Sequence, residues 1–416
     1  MEEVNFNIIS TIELLISLNF YLHPTKCHLK ASRQIDLLGF HLNSVTMTVS
    51  LTDGKRDTLL ADLQKFSLKD HVKIRDLAAI IGRLVAAFPG SEFGPLFYRN
   101  LEANKQAGLT LNHGGFDGHI ALQDSSKAEL RWWIANLPLM QKPITYPNPA
   151  VQIYTDASNS GWGAHFQGKD VTGTWSVSES QLHINEKEML AVLFGLTSLF
   201  PVDIHHITLR LNIDNTTVVH ILKNMGSSHN LFLNDYARRI WLWAQSRHIW
   251  LLPVYVSSTD NLADRPSRQV FVDAEWQLNR GVFLNVLSHL DFAPTIDLFA
   301  SSVNTQLPVY VSYQPDPNAH DIDAFSIDWG GLKFYAFPPF SCISRCLQKI
   351  KADKAHGILV VPNWPTQPFY PLLLKMSLNI MTIPRKPSNL ILPTQPCLIS
   401  EIAKKAAFLA CLISGN

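Results

Sequence analysis

Residues 151–158 read Val-Gln-Ile-Tyr-Thr-Asp-Ala-Ser, a short apolar run that closes on a carboxylate. Gly161-Trp162-Gly163 reads as a tight turn after it and Thr172 to Val177 as another short strand, so three strands in meander order are expected. Met189, Leu190, Val192, Leu193, Leu196 and Phe200 then recur at spacings of three and four, which predicts a helix stopped by Pro201. From Ile207 to Ile213, Leu209, Leu211 and Ile213 alternate with Arg210 and Asn212, a strand pattern. A short helix from about Thr216 to Lys223, an aromatic-rich helix from about Leu231 to Ser246 and a strand from Trp250 to Val256 follow. This order predicts an α/β fold built on a mixed five-stranded sheet with helices on its faces.

Outward from this piece, turn residues cluster at 109–117, 141–150, 264–269 and 384–396. They divide the 416 residues into an N-terminal piece (1–110), a connector (111–150), the central domain (151–268) and a C-terminal α/β domain (269–400). A composition 46% hydrophobic and 17% charged excludes disorder and collagen-like sequence. The longest tidy apolar run, Ala406 to Ile413, is far short of the ~18 residues of a membrane helix, and Glu2, Glu3 and Glu13 stand where a signal peptide would be basic. An intracellular protein, cytoplasmic or nuclear and without membrane partners, is expected. Thirty-five basic against 34 acidic residues exclude a strongly basic chain, so a nucleic-acid partner has to be argued from local sites. The five cysteines form no Cys-x-x-Cys pair, and reduced structural thiols are expected.

Four acids occupy telling places. Asp156 ends the first strand, Glu188 lies in the first long helix, Asp214 ends the fourth strand and Asp264 opens the final helix. Singly, each has a plain alternative as a turn, capping or solvated residue. Jointly, carboxylates at neighbouring strand ends and adjoining helices can converge at one sheet edge. Converging carboxylates repel unless a cation lies among them, and hard divalent ions take oxygen ligands. Two such ions can activate water and stabilise the leaving oxygen of a phosphodiester, so metal-assisted phosphodiester hydrolysis is the chemistry expected.

The set Tyr-Thr-Asp-Ala-Ser (154–158), Ile-Asn-Glu-Lys-Glu (184–188), Ile-Asp-Asn-Thr-Thr (213–217) and Asn-Leu-Ala-Asp-Arg-Pro-Ser-Arg (261–268) resembles the ribonuclease H domain of reverse-transcribing elements. The resemblance implies that Asp156, Glu188, Asp214 and Asp264 hold two Mg²⁺ (or Mn²⁺) ions and that the RNA strand of an RNA·DNA hybrid is cleaved. Glu188 rather than Glu186 matches the family position, because it follows Ile-Asn by three and the lysine by one. Many cellular ribonucleases H carry a histidine in the loop before the last Asp; here that loop, Val-Ser-Ser-Thr-Asp-Asn (256–261), has none. Ser158, Asn215, Arg238 and Arg239 are candidate nucleic-acid contacts. Trp241, Trp243 and Trp250 read either as a stacking surface with Arg238, Arg239 and Arg247 or, at helical spacing, as core.

The N-terminal piece contains an amphipathic helix (Ile8 to Leu18), Pro-Thr-Lys-Cys (24–27) and a strand pair bent at Gly39. Beside the central domain it resembles the end of a reverse transcriptase, with Leu38 to Phe40 in the primer-grip hairpin and Lys55 to Leu101 in the thumb and connection. Seven basic residues between Lys55 and Arg83 offer a backbone-tracking face, with four Asp residues interleaved. No adjacent Asp pair occurs in the chain, so no polymerase activity is expected from it, and an upstream reverse-transcriptase portion is implied as partner.

In the C-terminal piece, segments 295–301, 335–341 and 357–365 read as strands, with a helix from Ser341 to Ala352. The order is similar to the phage-like adenine-N6 methyltransferase module that follows ribonuclease H in DIRS-type retroelements. That likeness implies Asp297 as a holder of S-adenosylmethionine and Pro338, Pro339 and Phe340 as the base-receiving loop. Phe337 stands where active members carry Asn or Asp, and no glycine-rich loop follows Asp297, so S-adenosylmethionine is not expected as a cofactor. Beside the nuclease, a decayed or recruited nucleic-acid-binding protein and an adenine-N6 methyltransferase are the alternative readings.

Overall fold

Leucine and isoleucine at helical spacing, and short strands closed by residues that tolerate left-handed backbone, build the N-terminal part of the molecule. The computed structural model describes the chain apart from residues 1, 24–26, 28, 201–203, 228–229, 270–275 and 396. The expected helix stop at Pro201 and the Pro-Thr-Lys of the Pro-Thr-Lys-Cys segment lie outside the described residues. Two units result, Met1–Pro147 with Asn224–Asn234, and Asn148–Lys223 with Asp235–Asn416.

The first unit runs α1 (Glu2–Ser17), β1 (Gln34–Leu37), β2 (Phe40–Asn43), β3 (Thr48–Leu51), α2 (Asp53–Ser67), β4 (His71–Lys73), α3 (Ile74–Ala87), α4 (Arg99–Leu111), β5 (His119–Ala121), α5 (Asp124–Asn136) and β6 (Lys142–Pro143). Leu38 and Gly39 both have positive φ, 52° and 83°, which gives β1 and β2 the two-residue turn whose twist matches paired strands. Lys55 Nζ donates to Leu38 O at 2.9 Å across it. On α3, Ile74, Leu77, Ile81 and Leu84 form a buried stripe. Glu129 of α5 is fully buried and accepts from the backbone N–H groups of Asn100 and Leu101 at 3.1 Å, capping α4 from a neighbouring helix. Residues 111–150, expected as a connector, carry β5, α5 and β6, and α5 packs on α2 and α4. Three of the seven basic residues between Lys55 and Arg83 are in ion pairs: Arg56 with Asp53 and Asp57, Arg75 with Asp117, Arg83 with Asp62.

The second unit opens with β7 (Val151–Ala157), β8 (Gly161–Phe166), β9 (Lys169–Thr174), α6 (Val177–Ser180), α7 (Ile184–Leu199), β10 (Thr208–Ile213), α8 (Thr216–Lys223), α9 (Leu231–Gln245), β11 (Trp250–Tyr255) and α10 (Asp264–Ser267). The sheet order is β11-β10-β7-β8-β9, parallel between β7, β10 and β11 and antiparallel across β7, β8 and β9. This is the mixed five-stranded sheet expected. Gly161-Trp162-Gly163 is strand β8, however, and not a turn; the turns are Ser158–Ser160 and the positive-φ pair Gln167-Gly168. Its glycines serve close approach: a Cβ at Gly161 would meet Gly173 O at 2.4 Å. Gly195 likewise lets α7 lie on the sheet, where a Cβ would meet Ala164 Cβ at 2.9 Å. Trp241 is buried and donates to Leu222 O at 3.0 Å, with its ring 5.0 Å from Trp250, so it belongs to the core.

The chain continues through β12 (Gln277–Leu278), α11 (Arg280–Leu290), β13 (Ile296–Asp297), β14 (Val311–Ser312), β15 (Asp321–Ile322), β16 (Lys333–Ala336), α12 (Ile343–Ala352), β17 (His356–Pro362), α13 (Tyr370–Met376), β18 (Ser377–Ile383), β19 (Leu390–Ile391), α14 (Glu401–Lys405) and β20 (Phe408–Ser414). Its sheet is β13-β16-β17-β20-β18, parallel from β13 to β17 and antiparallel at β20 and β18. β20 stands between β17 and β18, so the sheet runs beyond the boundary at residue 400 expected from the turn residues. The Ala406 to Ile413 run is apolar because both its neighbours are strands and its faces are core.

Candidate functional site

Strand β7 carries Asp156 next to Thr155, which pairs with Ile213 of β10; Asp214 follows Ile213, so the parallel register sets the two carboxylates side by side. Glu188, on the second turn of α7, completes the group. Asp156 and Glu188 are buried, Asp214 is half-buried, and one carboxylate oxygen of each lies within 4.8 Å of the others. Glu186 does different work: its carboxylate accepts from His183 N at 3.2 Å, while the His183 ring accepts from Asn185 N at 3.2 Å, a capping box that starts α7. One acid caps the helix and the other enters the site.

The electrostatics follow from burial. Desolvation pushes the Glu188 carboxyl up to about 9, reinforced by the charges of Asp156 and Asp214. Asp156 is pushed up to about 6, again chiefly by burial, with the Ser267 hydroxyl opposing and Asp214 and Asp264 adding. Glu188 Oε2 and Asp214 Oδ1 are buried with no hydrogen-bond partner. Buried carboxylate oxygens are normally paired or bound to metal, and an all-oxygen donor set suits a hard divalent ion. These residues therefore fit such an ion.

Asp264 is not among the acids whose oxygens meet within 4.8 Å. Its carboxylate is held by Arg268, four residues on, through Nη2 to Oδ1 at 2.7 Å and Nε to both oxygens at 3.2 Å. The structure brings three of the four sequence-derived acids together and gives the fourth a guanidinium.

Residues without a role in the sequence reading shape the site. Asn261 is buried and donates from Nδ2 to Thr155 O at 3.0 Å and to Asp156 Oδ1 at 3.4 Å. Ser258 Oγ donates to Asp214 Oδ2 at 2.8 Å, from the loop that lacks a histidine. Asn261 is legible as the first residue of the Asn-x-Ala-Asp motif; nothing local marks Ser258.

Ser158 is structural: its hydroxyl donates to Ser267 O at 2.7 Å and accepts from Ser160 N and Gly161 N, tying the β7–β8 turn to α10. Asn215 accepts from Thr217 N and Val218 N at the start of α8 and donates to Asn185 Oδ1 at 2.9 Å. Arg239 is exposed near the Tyr236 ring, at 5.8 Å, and Arg238 is half-buried.

Asp297, at the end of β13, is buried and accepts from Gln306 N at 3.0 Å and Phe299 N at 3.4 Å; burial pushes its carboxyl up to about 7. Pro338 is buried and Pro339 exposed, and the Phe340 ring packs 5.2 Å from Trp364 and 6.3 Å from Phe408. Phe337, in the acceptor's place, packs 5.9 Å from Phe408.

No family model and no curated protein matches the sequence. Among solved structures, the chain is similar to the foamy viral protease–reverse transcriptase in complex with double-stranded DNA, at 10% identity and a TM-score of 0.30, over 61% of this chain and 43% of that one. It is similar to the same viral protein in complex with an RNA/DNA hybrid, at 11% identity and a TM-score of 0.25, over 60% and 33%. Ribonuclease H1 of the archaeon Halobacterium salinarum NRC-1 is similar at 18% identity and a TM-score of 0.23, over 28% of this chain and 92% of that one. The chain thus spans less than half the length of the viral proteins.

Proposed function

We propose that the protein is a metal-dependent ribonuclease H that cleaves the RNA strand of RNA·DNA hybrids, within a DIRS-like reverse-transcriptase polyprotein. The observation that carries this reading is the meeting of Asp156, Glu188 and Asp214, with oxygens of Glu188 and Asp214 buried and unpartnered. Asp156, Glu188 and Asp214 would hold one Mg²⁺ or Mn²⁺, and Asp264 would join in holding a second. When bound, such ions supply an activated water and charge stabilisation at the leaving oxygen. The protein's own part is to orient the carboxylates, whose charged forms burial disfavours and a bound cation would favour. Asn261 holds Asp156 and Ser258 holds Asp214, so each presents a fixed face to the hybrid.

In this reading residues 1–110 are the end of a reverse transcriptase, 151–268 the nuclease, and the C-terminal domain a methyltransferase-like remnant without methyl transfer. Against methyl transfer, the Asp297 carboxylate is engaged by backbone N–H groups, and Phe337 offers no acceptor. The deciding experiment is cleavage of an end-labelled RNA·DNA hybrid by the full chain with Mg²⁺, compared with Asp214→Asn. We expect RNA-strand products from the parent and a loss of ~10²-fold or more in the variant. Equal cleavage by both, or by neither, overturns the reading.

A further inference from the structure

The Asp264–Arg268 pair is the feature of the site that the proposed chemistry leaves unexplained. Three acids meet, two of them with an unpartnered oxygen, whereas the fourth is covered by a cation at the end of its own short helix. Arg268 makes three contacts to Asp264 with both oxygens engaged, and its side chain is 65% exposed against 33% for Asp264. An exposed pair of this kind is weak and exchangeable, unlike a buried one.

We propose that Arg268 is a positioning residue that acts as a built-in counter-cation, occupying Asp264 until a second divalent ion displaces it, so that the two ions load in order. The inference rests on the proposed metal centre and deepens it. The first ion engages Asp156, Glu188 and Asp214 without disturbing Arg268. The second needs Asp264, whose oxygens already accept from Arg268, so its apparent affinity is reduced by the cost of breaking that pair and by repulsion from the nearby guanidinium.

The test is calorimetric titration of the full chain with MnCl₂, without nucleic acid, for the parent, Arg268→Ala, Arg268→Lys and Asp264→Asn. We expect two binding events in the parent, the second weaker. Arg268→Ala tightens the second roughly three- to tenfold and leaves the first unchanged. Arg268→Lys falls between the two, since a lysine keeps the charge and loses the fork. Asp264→Asn abolishes the second event. Thermal unfolding in chelator checks that each variant is folded. An unchanged or weakened second event in Arg268→Ala overturns the inference while a retained first event leaves the metal centre standing. Absence of any Mn²⁺ binding by the parent overturns both.

Discussion

Asp156 and Gly163 stand directly opposite each other in the antiparallel pair of β7 and β8, and the missing side chain of Gly163 is what lets α10 reach the site. A Cβ there would meet Ser267 N at 2.3 Å and Pro266 C at 2.7 Å, both backbone atoms. Directly opposite residues share a sheet face, so the helix that carries Asp264 and Ser267 is seated beside Asp156.

Gly163→Ala therefore forces α10 away from Asp156. Displacement of reacting groups by about 1 Å costs ~10²-fold in rate, so hybrid cleavage is expected to fall by that order, with stability reduced by about 1–3 kcal/mol. Gly54→Ala is the control: nothing lies within 4 Å of its Cβ position, on α2. It is expected to keep full activity and gain roughly 0.5–1 kcal/mol in urea unfolding.

Stability should depend on pH in a way that metal removes. Both Asp156 and Glu188 have folded-state pKa values above their unfolded ones, about 6 and about 9. Their contribution is complete below the unfolded values near pH 4 and is lost as pH rises, first through Asp156 and then through Glu188. In chelator, Tm is expected to fall from about pH 4 to about pH 9 on this account, the window running from the unfolded values to the folded value of Glu188. Saturating Mg²⁺ flattens the profile and Glu188→Gln removes its alkaline limb. A rise of Tm with pH in chelator contradicts the assignment.

Ser258→Ala takes away the hydroxyl that donates to Asp214 Oδ2. The carboxylate remains but its orientation is no longer fixed, so Mn²⁺ affinity is expected to drop about tenfold, read by calorimetry. Circular dichroism should be unchanged, since Ser258 lies in an exposed loop contact.

Tyr335→Phe is expected to stabilise the protein. The phenol is buried with its hydroxyl unpartnered, and burial with the nearby Asp297 charge drives its pKa far up. Deleting an unsatisfied buried hydroxyl while keeping the ring, which packs 4.9 Å from Phe283, should raise unfolding free energy by about 1 kcal/mol. Urea denaturation measures it.

The mixed sheet was legible in the sequence because alternation in β10 and helical spacing in α7 are local consequences of burying one face. Local sequence misleads where packing with distant residues decides. Gly161-Trp162-Gly163 carries turn residues, yet each glycine answers a neighbour far along the chain: Gly173 for Gly161, Pro266 and Ser267 for Gly163. The stretch 111–150 looked like a connector because its Gly, Asn and Pro residues dominate short windows, while α5 is held by tertiary contacts with α2 and α4. The strand at 408–414 was hidden because an apolar run in isolation does not say which strands will flank it.

The sequence by itself determined the order of elements and which acids end strands or sit on helices, since periodicity and motif spacing are properties of the chain alone. Tertiary structure decided how those acids are used. The parallel register of β7 and β10 sets Asp214 beside Asp156, helix capping separates Glu186 from Glu188, and Arg268 covers Asp264. Such relationships depend on where whole elements pack, and a carboxylate's partner is whichever group that packing leaves within reach.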